Sequence, residues 1–149
     1  MFGNGLNSKL GHAAYLLFYL ACGFFAGVGY VVFRSTPVVG ASGAIFGVAA
    51  GYAVLFSLSR VTTFYFLFFF GFLELNALVI VGYYVLFNVV YLMTGAETGV
   101  AYLAHLSGAA CGLAAALLLL VTGAVGRDRF DLLALLGRLR QPPRPAESG

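Results

Sequence analysis

Residues 13–33 read AAYLLFYLACGFFAGVGYVVF, an apolar run without a charged side chain. Its length meets the requirement of about 20 residues for an α-helix that crosses the hydrocarbon core of a bilayer. The same character extends over the whole chain of 149 residues, of which 62% are hydrophobic and 9% are charged. A soluble domain of this size needs far more charge to cover its surface. The sequence therefore predicts an integral membrane protein with the lipid bilayer as its surroundings.

Further apolar runs predict a polytopic, all-α helical bundle. Residues 64–93 are too long for one upright helix, so we interpret 64–73 as a stretch that dips into the membrane before the next span. No polar linker separates the runs, which indicates one membrane domain over residues 1–126. The four predicted spans are about 13–33, 41–58, 75–93 and 100–121.

Positive charge gathers on one side of this topology. With four crossings, Lys9, Arg60 and the arginines of the tail share one side, whereas Arg34 lies on the other. Because cytoplasmic flanks carry the excess of Lys and Arg, we expect both ends to lie in the cytoplasm, with the spans in a bacterial cytoplasmic (inner) membrane. The tail, residues 127–149, is predicted to form a basic amphipathic helix on the anionic leaflet and to end in a disordered, proline-rich segment.

Two polar side chains interrupt the apolar spans at matching depth. The topology brings the second and fourth spans into the membrane from the outer face, just before Ser42 and His105. At about 1.5 Å per helical residue, Ser42 lies roughly 8 Å below Pro37, and His105 lies roughly 9 Å below Gly99. A serine and a histidine at one level of a small bundle can meet, and we predict that they do.

Glycines on the same two spans indicate close contact between the helices. Gly43, Gly47 and Gly51 recur every fourth residue on one face of the second span, and Gly108 and Gly112 have the same spacing on the fourth. Small residues at this period let helix backbones approach closely in lipid, where no hydrophobic force drives helices together. Since glycine costs about 1 kcal/mol relative to alanine inside a helix, this pattern suggests that the contact is required.

The serine and the histidine can support nucleophilic catalysis. A hydroxyl is a weak nucleophile until a base accepts its proton, and the imidazole of His105 is a usable base near neutral pH. Backbone N–H groups around Gly40 and Gly43, at the start of the second span, can stabilise negative charge on a reacting carbonyl. Two plainer interpretations stay open: the Ser42 motif serves helix packing, and His105 makes a structural hydrogen bond or lies on a proton path.

Two segments resemble signature motifs of the rhomboid family. Residues 40–47, GASGAIFG, resemble the rhomboid GxSG motif, and residues 104–112, AHLSGAACG, match the AHxxGxxxG motif at every defined position. Residues 2–4 and 10–12 also resemble the turn that joins the second and third rhomboid helices. The resemblance covers nearly the whole chain up to the tail, and it implies a rhomboid-like helical fold.

The resemblance also implies an activity and an incomplete domain. It implies an intramembrane serine endopeptidase that cuts transmembrane protein substrates, with Ser42 as the nucleophile, His105 as the general base and Phe46 packed on the histidine ring. The first rhomboid helix and most of the second, which carries a His-xxx-Asn motif for the oxyanion hole, have no counterpart here. We therefore expect a fragment, or a start at an internal Met1, that is inactive in this form. The alternative is an inactive rhomboid-like protein that binds transmembrane clients.

The remaining polar residues are given lesser roles. Glu74 is predicted near the cytoplasmic start of the third span's helix, where a negative charge favours the helix dipole, and proton handling is the alternative. A small transporter that uses His105 and Glu74 is disfavoured because they should lie at opposite membrane faces. Glu97 is expected to be a solvated loop charge, and His12 is expected at the membrane interface.

We predict neither a metal site nor another cofactor. Cys22 and Cys111 lie inside apolar runs, where a free cysteine behaves as a small hydrophobic residue. The sequence has no His-Glu-xx-His motif for zinc and no aspartate in a predicted span, which disfavours other classes of intramembrane protease. A net charge of +3, most of it in the tail, does not indicate a nucleic-acid partner.

Overall fold

The structure, a computed structural model, describes residues 2–34, 40–66, 70–95, 100–126 and 128–140. Glu97, Arg127 and the chain after residue 140 lie outside these residues, so the predictions made for them stay predictions. The described elements in chain order are α1 (Phe2–Leu10), α2 (His12–Phe33), α3 (Ser42–Leu55), β1 (Arg60–Phe66), β2 (Phe70–Asn76), α4 (Ala77–Thr94), α5 (Tyr102–Val121) and α6 (Leu132–Arg140).

Helices α2, α4 and α5 are each long and apolar enough to cross a membrane. Fewer than half of the residues in each helix are buried, and large apolar residues such as Leu17, Phe33 and Val121 are exposed. Such faces are unfavourable in water and are stable against hydrocarbon. The predicted membrane protein and its helical-bundle fold are confirmed, and these helices overlap the first, third and fourth predicted spans.

Helix α3 lies at the centre of the bundle. Most of its 14 residues are buried against α2, α5 and α4. Its length of about 21 Å is less than the hydrocarbon thickness of about 30 Å. With bounds of Ser42–Leu55, it is also shorter than the span predicted at 41–58. Because neighbouring segments cover it, the backbone beyond its C-terminal end can find partners within the protein, as when the Leu58 N–H donates to the Phe130 carbonyl at 3.1 Å.

The described residues of the segment predicted to dip into the membrane, 64–66 and 70–73, lie in two paired β-strands. Strands β1 and β2 pair antiparallel, with Arg60 opposite Asn76 and Phe66 opposite Phe70. Their sequences, RVTTFYF and FGFLELN, are rich in β-branched and aromatic residues, which favour strands. Hydropathy alone does not distinguish apolar strands from other apolar segments, so the sequence did not predict this pairing.

Helix α6 closes the end of the bundle opposite Ser42. It lies within the tail predicted to be an amphipathic helix, and its Leu132 and Leu133 pack against the core at the C-terminal ends of α3 and α5. The fully buried Asp131 caps it, since its carboxylate accepts hydrogen bonds from the Ala134 and Asp128 N–H groups at 2.7 and 3.0 Å. Docking against α3 is a tertiary contact that the pattern of leucines did not predict.

Candidate active site

His105 lies on α5 and is buried between α5, α3 and α4. The ring lies one turn inside the start of the helix at Tyr102 and is only 8% exposed. It is enclosed by α3 on one side and α4 on the other, because its two nitrogens and its face contact residues of those helices. An ionisable ring buried at membrane depth is costly unless it is paired, and this one is paired at both nitrogens.

The Ser42 hydroxyl meets the imidazole. Ser42 Oγ lies 2.9 Å from His105 Nε2, and the serine is exposed although the ring is not. Ser42 is the first residue of α3, and Gly40 before it has a φ of +139°, a conformation that L side chains rarely adopt. The glycine therefore allows the chain to turn sharply into the helix with the hydroxyl aimed at α5.

The first turn of α3 presents backbone donors beside this hydroxyl. At the start of α3, the Ile45 N–H donates to the carbonyl of the N-cap residue Ala41 at 3.1 Å. The N–H groups of Ser42, Gly43 and Ala44 precede it and have no acceptor within the helix, as at any helix start. Such groups, together with the positive end of the helix dipole, favour an oxyanion close to Ser42.

Aromatic rings hold the imidazole from two directions. Phe46, one turn after Ser42 on α3, stacks on His105 with ring centroids 4.3 Å apart and planes 6° from parallel. Tyr102 meets the same ring edge-on at 6.5 Å and 89°. Contacts of this kind stabilise by about 0.5–1.5 kcal/mol each beyond the area that they bury, so they restrict the tilt of the ring.

The glycine faces of α3 and α5 bring the two helices within reach of each other. A methyl group added to Gly108 would collide with the Gly43 carbonyl oxygen, and one added to Gly112 would collide with that of Gly47. A methyl group on Gly47 would lie 2.8 Å from the Gly108 carbonyl oxygen, which is again too close. Backbone packed directly on backbone sets the distance over which Ser42 and His105 make their hydrogen bond.

The glycines of α3 also make room for α2, since methyl groups on Gly43 and Gly47 would meet Ala26 and Cys22, and Gly51 shows this most clearly. A methyl group there would lie 2.6 Å from the Phe18 ring on α2 and 3.5 Å from the Gly112 carbonyl oxygen. It therefore accommodates an aromatic side chain of α2 more than it controls the distance between α3 and α5. Of the glycines singled out in the sequence, those nearest Ser42 bear most directly on the site.

Asn88 on α4 lies against the histidine, a contact that neither hydropathy nor the motifs predict. Asn88 Oδ1 on α4 lies 2.8 Å from His105 Nδ1, and its Nδ2 donates to the Tyr84 carbonyl at 2.7 Å. The side chain is only 3% exposed. A signal was present in the sequence, because Asn88 is the one amide in an otherwise apolar and aromatic helix, where buried polar groups mark functional sites.

A cavity opens beside Ser42 on the side of α2. Its volume is about 430 Å³, and small residues of α2 and α3 contribute much of its lining, among them Gly23, Ala26, Gly27 and Ala44. Ser42 itself lines this space, together with Gly40 and Gly43. The cavity provides room for a peptide segment next to the hydroxyl.

A family model described as Rhomboid domain matches residues 1–122, and so covers both α3 and α5. This protein belongs to the rhomboid family. The match confirms the resemblance first noted in residues 40–47 and 104–112. Rhomboid proteins are intramembrane proteases or inactive homologues, so membership defines the class of protein without deciding between these two. Searches among curated proteins and among solved structures gave no significant match.

Within the rhomboid domain, the other polar residues named from the sequence lie apart from Ser42. Glu74 is in β2, three residues before α4, and its carboxylate pairs with Arg60 at 3.5 Å. Glu74 thus lies near the start of the third span's helix, but in β2 and not in the first turn of α4, which begins at Ala77. His12 begins α2 at the far end of the bundle and contacts Asn7 at 3.0 Å.

Proposed function

We propose that this rhomboid protein is an intramembrane serine endopeptidase in which Ser42 is the nucleophile and His105 the general base. The 2.9 Å contact between Ser42 Oγ and His105 Nε2 carries the proposal. Helix packing at Ser42 and a structural hydrogen bond at His105 do not require the two side chains to converge, whereas base catalysis does. The exposed hydroxyl and the adjacent cavity give a substrate access to the nucleophile.

To the proposed reaction this chain supplies the nucleophile, the base and the backbone donors at the start of α3. His105 Nε2 accepts the hydroxyl proton as Ser42 Oγ bonds to the carbonyl carbon of the scissile peptide. Negative charge moves to the carbonyl oxygen, where N–H groups of the first turn of α3, including that of Gly43, can donate. The imidazolium then protonates the departing amide nitrogen, and the C–N bond breaks to leave an acyl group on Ser42. A water deprotonated by the same ring hydrolyses this ester and restores both side chains.

The position of the dyad suggests the substrate class. Ser42 lies in a bundle whose outer surfaces are apolar, so a protein that reaches it travels in the bilayer. Transmembrane proteins are the proposed substrates, with the scissile peptide in the cavity next to Gly23 and Ala44. The excess of Lys and Arg near both chain ends supports an orientation with the tail in the cytoplasm and the dyad towards the outer leaflet of a bacterial cytoplasmic membrane.

A fluorophosphonate probe tests the proposal directly, because it reacts with a serine hydroxyl only when that hydroxyl is activated. The full-length protein in lipid vesicles is treated with the probe and compared with Ser42→Ala and His105→Ala variants. We expect covalent labelling of the wild type, none of Ser42→Ala, and a rate lowered by about 10³-fold or more for His105→Ala. Mass spectrometry of the labelled peptide should locate the adduct on Ser42.

Matched controls separate activation from chance reactivity. Ser107 lies on α5 two residues after His105 and packs against Gly29 of α2, so Ser107→Ala should label like the wild type. His12→Ala, at the far end of the bundle, should also leave the rate unchanged. Equal labelling of the wild type, Ser42→Ala and His105→Ala would refute the protease proposal and favour a rhomboid homologue that binds transmembrane clients without cutting them.

A further inference from the structure

The strongest unexplained group in the bundle is the amide of Asn88. It lies in the middle of α4, where the helix is otherwise apolar or aromatic until Thr94. Placing an amide in an apolar environment costs several kcal/mol, on the order of 2–7, unless both of its ends find hydrogen-bond partners. Asn88 is paired at both ends and is 3% exposed, so α4 retains a buried polar group that helix packing alone does not need.

The orientation of the amide follows from its hydrogen bonds. The Tyr84 carbonyl can only accept, so the Asn88 atom 2.7 Å from it must be the Nδ2 donor. The opposite end of the amide is then Oδ1, an acceptor, which lies 2.8 Å from His105 Nδ1. Rotating the amide by half a turn would set two carbonyl oxygens against each other. The Tyr84 carbonyl therefore fixes the amide so that the Asn88 side chain presents an acceptor, not a donor, to the histidine.

An acceptor at Nδ1 selects one tautomer of the neutral ring. With the proton on Nδ1, His105 donates to Asn88 Oδ1, and the lone pair of Nε2 faces the Ser42 hydroxyl 2.9 Å away. With the proton on Nε2, two lone pairs would face each other at Nδ1, and the nitrogen next to Ser42 could not accept a proton. Only the first tautomer is a base toward Ser42.

Stacking alone cannot make this selection. The contact between Phe46 and His105 is preserved if the imidazole rotates by half a turn about its Cβ–Cγ bond, because the plane of the ring does not change. After that rotation, carbon atoms would occupy the positions of Nδ1 and Nε2, and both hydrogen bonds would be lost. The hydrogen bond to Asn88 opposes this rotation, whereas the stacking contact with Phe46 does not.

We propose that Asn88 is a positioning residue that holds His105 in the tautomer and orientation needed to accept the Ser42 proton. This inference rests on the proposed function. It adds Asn88 of α4 to the dyad as a third, hydrogen-bonded residue that orients the ring but transfers no proton. Asn88 accepts the same hydrogen bond from the neutral ring and from the imidazolium formed during the reaction. A neutral amide does so without placing a further charge at membrane depth, where an ionised carboxylate is costly.

Nitrogen NMR of protein with isotope-labelled histidine tests the tautomer without reference to activity. The chain has two histidines, and a His12→Gln variant leaves His105 as the only source of ring signals. We expect Nδ1 to carry the proton in the wild-type background. A protonated Nε2 in the neutral ring would overturn the proposal, and this result requires no substitution at Asn88.

Three variants then test whether Asn88 is responsible. Asn88→Leu keeps the approximate volume but removes the acceptor, so Nδ1 should lose its preference for the proton. Asn88→Asp offers an acceptor oxygen in either protonation state and should retain the tautomer. Val81→Ala, at another buried position on α4, should also retain it, because Val81 lies two turns before Asn88 and packs with Ala50, Ala53 and Ala109. An unchanged tautomer in Asn88→Leu would overturn the proposal.

The rate of fluorophosphonate labelling gives the functional readout. We expect about a 10²-fold lower rate for Asn88→Leu, substantial recovery in Asn88→Asp, and nearly wild-type labelling in Val81→Ala. A wild-type rate in Asn88→Leu, with labelling still dependent on Ser42 and His105, would overturn this inference alone. Labelling that does not depend on Ser42 would overturn the protease proposal, while the NMR result would still decide whether Asn88 controls the tautomer. If Asn88→Leu does not fold, the proposal is tested by the tautomer of His105 in the wild-type spectrum and in that of Asn88→Asp.

Discussion

His105 and Glu74 both look like isolated ionisable residues in apolar sequence, yet their surroundings in the fold are opposite. The His105 ring is 8% exposed and makes hydrogen bonds to side chains of two other helices. The Glu74 side chain is 58% exposed, and its carboxylate pairs with Arg60 on the neighbouring strand at 3.5 Å. The rule that an ionisable residue in a membrane segment marks function thus holds only where tertiary packing buries the group and gathers partners around it.

The largest expected difference between these two residues is in activity. Replacing His105 with glutamine should lower cleavage of a model transmembrane substrate by about 10³-fold or more, because the base is lost. Replacing Glu74 with glutamine should change it less than about 2-fold, since an exposed ion pair contributes little. Measuring both variants with the same substrate in the same vesicles tests the contrast. Comparable losses in the two would mean that Glu74 has a role its position does not explain.

The second prediction concerns the glycine contact that brings His105 to Ser42. Gly108→Ala should lower the free energy of unfolding by about 1–3 kcal/mol, because any side chain there meets the Gly43 carbonyl oxygen. Activity should fall as well, since α3 and α5 must move apart. Chemical unfolding in micelles measures the first effect, and labelling of Ser42 measures the second.

Gly82 provides the matched control for this prediction. It lies on the exposed side of α4, and a methyl group added there would meet nothing within 4 Å. Gly82→Ala should therefore leave the protein unchanged or stabilise it by up to about 1 kcal/mol through helix propensity. Equal destabilisation at Gly108 and Gly82 would contradict the close approach of α3 and α5.

A smaller effect is expected from the ring that stacks on His105. Phe46→Leu removes a contact of about 0.5–1.5 kcal/mol, which corresponds to roughly a 2- to 10-fold lower rate of Ser42 labelling. Phe25→Leu, on the exposed surface of α2, should have no measurable effect on the rate. If Phe46→Leu labels at the wild-type rate, stacking is not what holds the imidazole in place.

The smallest effect concerns the ion pair of the hairpin. A double-mutant cycle on Arg60 and Glu74 should give a coupling free energy of about 0–0.5 kcal/mol, because both side chains are mostly exposed and the charged atoms are 3.5 Å apart. Unfolding of the two single variants and of the double variant measures it. A coupling above about 1 kcal/mol would indicate that the hairpin is buried by a surface that these contacts do not reveal.

Hydropathy and helical spacing predicted the long membrane helices. They did not predict contacts between segments that are distant in the sequence. The runs at 13–33 and 100–121 correspond to α2 and α5 because helices in lipid satisfy their own backbone hydrogen bonds. The hairpin between Arg60 and Asn76 was missed because a strand depends on its partner strand as much as on its own composition. The role of Asn88 was missed because hydrogen bonds to side chains on other helices leave no periodic pattern in the sequence.

The sequence by itself determined that the chain is a membrane protein, that it belongs with the rhomboid proteins, and that Ser42 and His105 lie at similar depth. These properties follow from local apolarity, motif spacing and the rise of a helix, none of which needs a partner element. Only the tertiary structure decided that the two side chains meet at 2.9 Å and that Asn88 contacts the second ring nitrogen. Angles and distances between helices depend on how their surfaces pack, and packing is a property of the assembled bundle.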